Sequence, residues 1–158
     1  MSHSKTLKHA AILLMIAGTG ATPAVASPSS GITITNFVTG NLDAADHFNS
    51  DRVKFQTKGP TDVRMQQIVF SPGGATGWHR HPGVVLVGVQ SGTITLWDTS
   101  CAKVDLGPGS VFVDAFDHGH QATSEGGATI QVTYVVPDAS PPVFRTEEPV
   151  PFCAQPTP

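Results

Sequence analysis

Short apolar segments separated by turns run through most of the chain. From Ile32, apolar residues alternate with threonine at a period of two, which predicts a half-buried strand. The segment Val84–Val89 is nearly all valine and leucine and favours a buried strand. Because Gly- and Pro-rich turns separate the segments and no long helical pattern competes, the predicted fold class is all-β, a sandwich or a barrel. The remaining predicted strands are Asp62–Phe70, Gly92–Trp97, Lys103–Leu106, Ser110–Val113, His120–Thr123 and Ala128–Val136.

Three stretches interrupt this regular pattern. Residues 41–52 have no clean period, which indicates a loop or a short helical turn near Ala44–Phe48. The pair Gln90-Ser91 predicts a turn between two strands. Residues 137–158 contain seven prolines and are not expected to pair as a central strand. We therefore expect a barrel domain over 27–136, followed by a tail that wraps the barrel surface.

The first 26 residues have the pattern of a secretory signal peptide. Lys5 and Lys8 precede the apolar run Ala10–Ala17, and Ala24-Val25-Ala26 matches a cleavage site with small residues. The apolar run is shorter than the roughly 20 residues that span a bilayer. We therefore expect cleavage and export, to the periplasm or outside the cell, rather than a membrane anchor. No later segment is long and apolar enough to cross a membrane.

The charge of the expected mature chain argues against one class of partner. Cleavage would remove two of the nine basic residues and none of the twelve acidic ones, leaving a net charge of −5 with histidine neutral. Basic residues do not cluster anywhere in the remainder. Nucleic acid is therefore not an expected partner.

The chain contains two cysteines, Cys101 and Cys153. In an exported protein an even number of cysteines favours a disulfide, which would tie the tail to the barrel. Two free thiols and thiolate metal ligands are the alternatives. Cys153 lies far from the histidine-rich segments of the chain, which favours the disulfide.

Two His-x-His pairs, His79/His81 and His118/His120, point to metal chemistry. Side chains at positions i and i+2 of a strand point to the same face, so each pair can direct two imidazoles the same way. If both strands face a barrel interior, the imidazoles converge. Neutral imidazole is a common ligand of Zn, Fe, Cu and Ni, so the pattern favours a metal site. The alternative is a set of hydrogen-bonded interior histidines without metal.

The segments around these pairs resemble the two motifs of the cupin superfamily. In the first motif a glycine, five residues and His-x-His precede a glutamate and a later glycine, and Gly73, His79, His81 and Gly92 match. In the second, the spacing from Gly109 to His120 matches. The resemblance covers about residues 60–136 and implies a double-stranded β-helix, that is, a jelly-roll barrel. It also implies His79, His81 and His120 as ligands of a divalent Fe, Mn, Ni, Cu or Zn ion, and superfamily members often form homodimers.

Three positions depart from the cupin pattern. Val85 occupies the glutamate position, the Pro-x-Gly turn reads Ala115-Phe116-Asp117, and Ser124 replaces the asparagine. Valine has no donor atom, so the usual fourth ligand is missing. A set of three histidines can still hold a metal ion, as it does in carbonic-anhydrase-type zinc sites and in cupin-like thiol dioxygenases. It would leave the full metal charge and more open positions on the ion.

Other residues are secondary candidates. His118 is expected at the barrel rim near Asp117, as a partner of a ligand rather than as a ligand itself. Gln67 could reach the pocket or face solvent, and Tyr134 could present its hydroxyl to the cavity. The two tryptophans, Trp78 and Trp97, are expected to pack rather than to serve as substrate platforms.

Two function classes follow from these expectations. The first is a metal-dependent enzyme in which open metal positions take water, oxygen or a small organic substrate, with oxygenase chemistry implied by the resemblance. The apolar wall around Val85–Val87 would suit an apolar or aromatic part of that substrate. The second is a non-catalytic module that binds a small molecule or carbohydrate, with or without metal. The missing glutamate and the altered turn favour the second.

Overall fold

The computed structural model describes residues 27–115 and 118–154. Twelve strands lie within them, followed by one turn of 3-10 helix at Phe152–Ala154. The strands are β1 (Ser30–Leu42), β2 (His47–Asn49), β3 (Lys54–Gln56), β4 (Thr61–Ala75), β5 (His79–Arg80), β6 (Val84–Gly92), β7 (Ile94–Asp98), β8 (Lys103–Leu106), β9 (Val111–Ala115), β10 (His120–Ser124), β11 (Ala128–Pro137) and β12 (Thr146–Glu147).

Ten of these strands form one curled antiparallel sheet. One part has the order β1-β4-β11-β6-β9, and the other has the order β8-β7-β10-β5-β12. The end of β4 joins the two parts, because Thr123 and Ser124 of β10 pair with Ala75 and Gly74. The all-β fold class is confirmed, and the curled sheet is a jelly roll.

The core lies between the two parts of the sheet. Alternate residues of β4, β6 and β11 point inward and meet across the ladder, as Ile130 does with Ile68 on one side and Val89 on the other. From the second part, Ile94 of β7 is fully buried. The β-branched side chains of these positions suit a pleated, half-buried surface. Thirteen of the buried residues, from β4, β6, β7, β10, β11 and the tail, form one apolar cluster.

The valine-rich segment is buried on one face only. Val85 and Val87 face the core, whereas Val84 and Leu86 are each 44% exposed. The prediction of a buried strand therefore holds for alternate residues. This alternation is expected for an antiparallel sheet with one solvated face.

Two local predictions differ from the structure. Of the two alternatives near Ala44–Phe48, the helical turn is wrong, because residues 43–46 form a loop and β2 then forms a small hairpin with β3. Gln90 and Ser91 belong to β6 rather than to a turn, and the chain reverses after Gly92. Gly92 has a φ of +70°, and a Cβ there would collide with the carbonyl oxygen of Gly127. Glycine's lack of a side chain, rather than the polar pair before it, therefore fixes this turn.

The Pro-rich tail contributes to the interior as well as to the surface. Its short strand β12 pairs at the edge with β5, as the proline content allows. Phe144 is buried in the core cluster, and the Arg145 guanidinium donates to the carbonyl oxygen of Thr76 at 2.8 Å. Cys153 is disulfide-bonded to Cys101, with 6.2 Å between their Cα atoms. The tail is therefore part of the wall behind the histidines.

The expected signal peptide, residues 1–26, lies outside the described residues. Among the residues that are described, no helix is long and apolar enough to span a membrane.

Candidate metal centre

The predicted histidine ligands come together inside the barrel. His79 of β5 and His120 of β10 are directly opposite each other in the antiparallel ladder, which places their side chains side by side. His81 follows two residues after His79 and points to the same side. The three ring centroids are 4.4 to 5.1 Å apart, and all three residues are buried. One nitrogen from each ring lies within 4.8 Å of the others, so this trio could hold a metal ion.

Backbone carbonyl groups orient all three imidazoles. The Nδ1 atom of His79 lies 2.8 Å from the oxygen of Gly77, that of His81 lies 2.6 Å from Phe144, and that of His120 lies 3.1 Å from His118. A carbonyl oxygen can only accept, so each Nδ1 carries the hydrogen. Each Nε2 therefore has a free lone pair in the neutral ring. Metal-bound histidines in proteins are commonly oriented in this way.

Burial keeps the rings of His79 and His81 neutral. Desolvation, together with the nearby charges of His120 and Arg145, lowers the pKa of His79 to about 2. Burial also lowers the pKa of His81, although its hydrogen bond to Phe144 acts in the opposite direction. Neutral imidazole is the form that binds metal. The residues present therefore fit a divalent transition metal ion.

A carboxylate that the sequence analysis did not single out lies beside the trio. The Oδ2 atom of Asp114 is 2.8 Å from Nε2 of His120 and 4.0 Å from Nε2 of His81. The predicted strand Ser110–Val113 ends one residue before Asp114, whereas β9 continues to Ala115. Val113 is 56% exposed, and successive residues of a strand point to opposite faces, so the next residue, Asp114, points inward. A predicted strand one residue longer would have included it.

An apolar cavity of about 370 Å³ opens beside the histidines. His120 and Asp114 lie on the boundary between this outer cavity and a smaller inner one of about 40 Å³ that holds all three rings. A small molecule in the outer cavity would therefore lie next to the candidate metal position. The outer cavity is lined chiefly by Leu96, Trp97, Ala102, Val104, Phe112 and Val113.

Comparisons with known proteins identify the fold. No protein-family model and no curated protein sequence matches the chain. Among solved structures, the polyketide cyclase RemF from Streptomyces resistomycificus matches at 16% identity with a TM-score of 0.51, over 80% of this chain and 81% of that chain. A cupin domain protein from Bordetella pertussis matches at 18% identity with a TM-score of 0.48, over 68% and 95% of the two chains. The chain has the cupin fold.

The match to a DMSP lyase structure is partial. It has 24% identity and a TM-score of 0.41, and it covers 45% of this chain and 37% of that chain. The chain thus spans little more than a third of that protein.

Within the cupin barrel, the secondary candidates have different positions. Tyr134 is buried, its ring lies 5.3 Å from that of His81, and its hydroxyl accepts a hydrogen bond from Gln66 at 2.8 Å. Burial raises the pKa of Tyr134 to about 12, so it stays protonated. The amide that faces the barrel interior is that of Gln66, which is buried. Gln67 points to the opposite face of β4, where it contacts Gln90 at 3.4 Å.

The remaining candidates lie at the rim or in the wall. His118 is exposed and lines the outer cavity, while its backbone oxygen orients His120. Its expected neighbour Asp117 lies outside the described residues. Trp78 is a buried packing residue as predicted, whereas Trp97 is half-buried and lines the outer cavity. Val85, at the cupin glutamate position, lines the inner cavity.

Proposed function

We propose that this protein binds one divalent transition metal ion through His79, His81 and His120 and acts as an oxygenase-type metalloenzyme on a small organic substrate. The observation that carries the metal proposal is the set of three Nδ1 hydrogen bonds to backbone carbonyls. These bonds leave the three Nε2 atoms to bind one ion. Fe, Mn, Ni, Cu and Zn all accept such ligands.

A bound metal ion would supply Lewis-acid or redox chemistry at the inner end of the outer cavity. The chain's own residues supply the rest of the site. The cavity is lined mainly by apolar residues, which favours an apolar or aromatic substrate part. Lys103, whose ammonium lies 5.1 Å from the centre of the Trp97 ring, places a positive charge at the cavity wall, and Asp98 and Asp114 place two carboxylates there. A small apolar or aromatic molecule is therefore the substrate class that the cavity suits best.

The metal proposal is tested by metal analysis of protein purified without a histidine tag. We expect about one transition metal ion per chain in the wild-type protein and almost none in His81→Ala. His47→Ala is the matched control, because His47 is exposed on β2. Wild-type protein that remains metal-free after exposure to Fe, Mn, Ni, Cu and Zn would refute the proposal and favour a metal-free binding module.

The oxygenase part is tested separately. Metal-loaded wild-type protein is expected to consume oxygen with at least one member of a panel of thiols, phenols and diketones, and His81→Ala is expected not to. A metal-loaded protein that consumes no oxygen with any of them, but still binds phenols, would favour the non-catalytic alternative.

The cavity assignment makes a prediction about ligand affinity. Trp97→Ala is expected to weaken the binding of phenol by about 3- to 10-fold, because an aromatic pair contributes about 0.5–1.5 kcal/mol beyond its buried area. Ligand-observed NMR titration measures the change. Phe48→Ala, which removes an exposed aromatic ring on β2, is the control. Equal phenol affinity in all three proteins would contradict the assignment.

We also propose that the protein is exported. The disulfide between Cys101 and Cys153 is typical of an oxidising compartment and agrees with the signal-like pattern of the first 26 residues. Mass spectrometry of the protein from the envelope or the medium of its host would test this. We expect a mature N-terminus at Ser27.

A further inference from the structure

The valine at the cupin glutamate position lies directly opposite an aspartate. In the antiparallel pair of β6 and β9, Val85 is the register partner of Asp114. Partners in this position project to the same face, with their Cβ atoms about 5 Å apart. Val85 lines the inner cavity and so does Asp114. Side chains at the two positions therefore extend into the same inner cavity from adjacent strands.

The contact between Asp114 and His120 requires a positive charge. The Nδ1 atom of His120 is already the donor to the oxygen of His118, so Nε2 of the neutral ring presents a lone pair. The Oδ2 atom of Asp114 lies 2.8 Å from that nitrogen. Two acceptors repel each other at this distance unless a proton or a metal ion lies between them or beside both. The same oxygen is 4.0 Å from Nε2 of His81, so it faces the group of ring nitrogens rather than one ring alone.

From this geometry we infer that Asp114 is a fourth ligand of the metal ion, in place of the glutamate that Val85 lacks. The inference rests on the proposed metal site. It adds one negative charge to three neutral imidazoles. It also assigns the carboxylate to β9, which lies within the second motif, rather than to β6. The Asp114 side chain is only 16% exposed, and its Oδ2 atom faces the Nε2 atoms of His120 and His81.

The inference predicts a large change in metal affinity from an isosteric substitution. Asp114→Asn is expected to weaken Co²⁺ and Zn²⁺ binding at least about tenfold, since removal of even indirect partners of a metal ligand lowers affinity about 10–100-fold. Competition with a chromogenic chelator measures the affinity. The visible absorption spectrum of the Co²⁺ protein is expected to change as well, because the spectrum reports the ligand set.

Two further variants sharpen the experiment. Asp105→Asn removes an exposed carboxylate on β8 and is expected to leave affinity and spectrum unchanged. In an Asp114→Ala background, Val85→Glu is expected to restore much of the lost affinity, because the two side chains share one space. A folded double variant with no recovery would overturn the claim that the positions are interchangeable. Circular dichroism checks that it is folded.

The outcomes separate this inference from the proposed function. If wild-type protein binds no metal, the proposed function itself fails. If His81→Ala loses the metal while Asp114→Asn keeps wild-type affinity and the wild-type Co²⁺ spectrum, the metal site stands and Asp114 is not a ligand. Weakened affinity together with an altered spectrum in Asp114→Asn supports the inference.

Discussion

Replacement of both cysteines by serine is expected to lower the free energy of unfolding by about 4 kcal/mol. Cys101 and Cys153 are 52 residues apart in sequence, so their bond removes much of the freedom of the unfolded chain. It also holds the 3-10 helix Phe152–Ala154, which has no buried residue of its own. Urea denaturation of the double variant and of wild-type protein measures the difference.

The control for this prediction isolates the covalent bond from its neighbours. Phe152→Ala removes a side chain that is 91% exposed next to Cys153, and it is expected to change the unfolding free energy by less than about 0.5 kcal/mol. Reduction of the wild-type protein should reproduce the loss seen in the double variant. A double variant within 1 kcal/mol of wild-type stability would contradict the prediction.

The architecture could be predicted from the sequence because the strands follow local rules. Period-two alternation and Gly- or Pro-rich turns predict the ends of most strands to within a few residues. The i, i+2 spacing of His79 and His81 placed them on one side of the chain. The meeting of His79 with His120 is a long-range pairing. It was anticipated only because the two motifs resemble those of cupins.

The parts that were missed depend on contacts between distant segments. Phe144 lies in a Pro-rich tail, and nothing local shows that its carbonyl accepts the hydrogen bond of His81. Asp114 lies one residue beyond the predicted strand, and its contact with His120 joins β9 to β10, which are distant in sequence. Gln66 and Gln67 are adjacent and have the same side chain, and adjacent strand residues point to opposite faces of the sheet. The pairing register of β4 therefore determines that Gln66, not Gln67, faces Tyr134. Register of this kind is set by the whole sheet.

Saturation of metal-free protein with Zn²⁺ is expected to raise the free energy of unfolding by about 4 kcal/mol when free metal exceeds the dissociation constant a thousandfold. The ligands explain why binding and folding are coupled. His79 is on β5, His120 is on β10, and Asp114 is on β9 in the other part of the sheet. An ion bound to all of them exists only when both parts have closed. Thermal unfolding with and without metal should show a rise in Tm of roughly 10–20 °C.

The prediction is tested by the change in Tm that each protein shows on adding Zn²⁺, not by the Tm of a variant alone. His81→Ala also removes the buried hydrogen bond to the carbonyl of Phe144, so it is expected to lower the Tm even without metal. Its shift on adding Zn²⁺ should nevertheless fall close to zero, whereas His47→Ala should keep the full shift. Asp114→Asn should show an intermediate shift, because it retains three imidazoles but loses the charge that links β9 to them. An equal shift in wild-type protein and His81→Ala would place metal binding elsewhere on the chain.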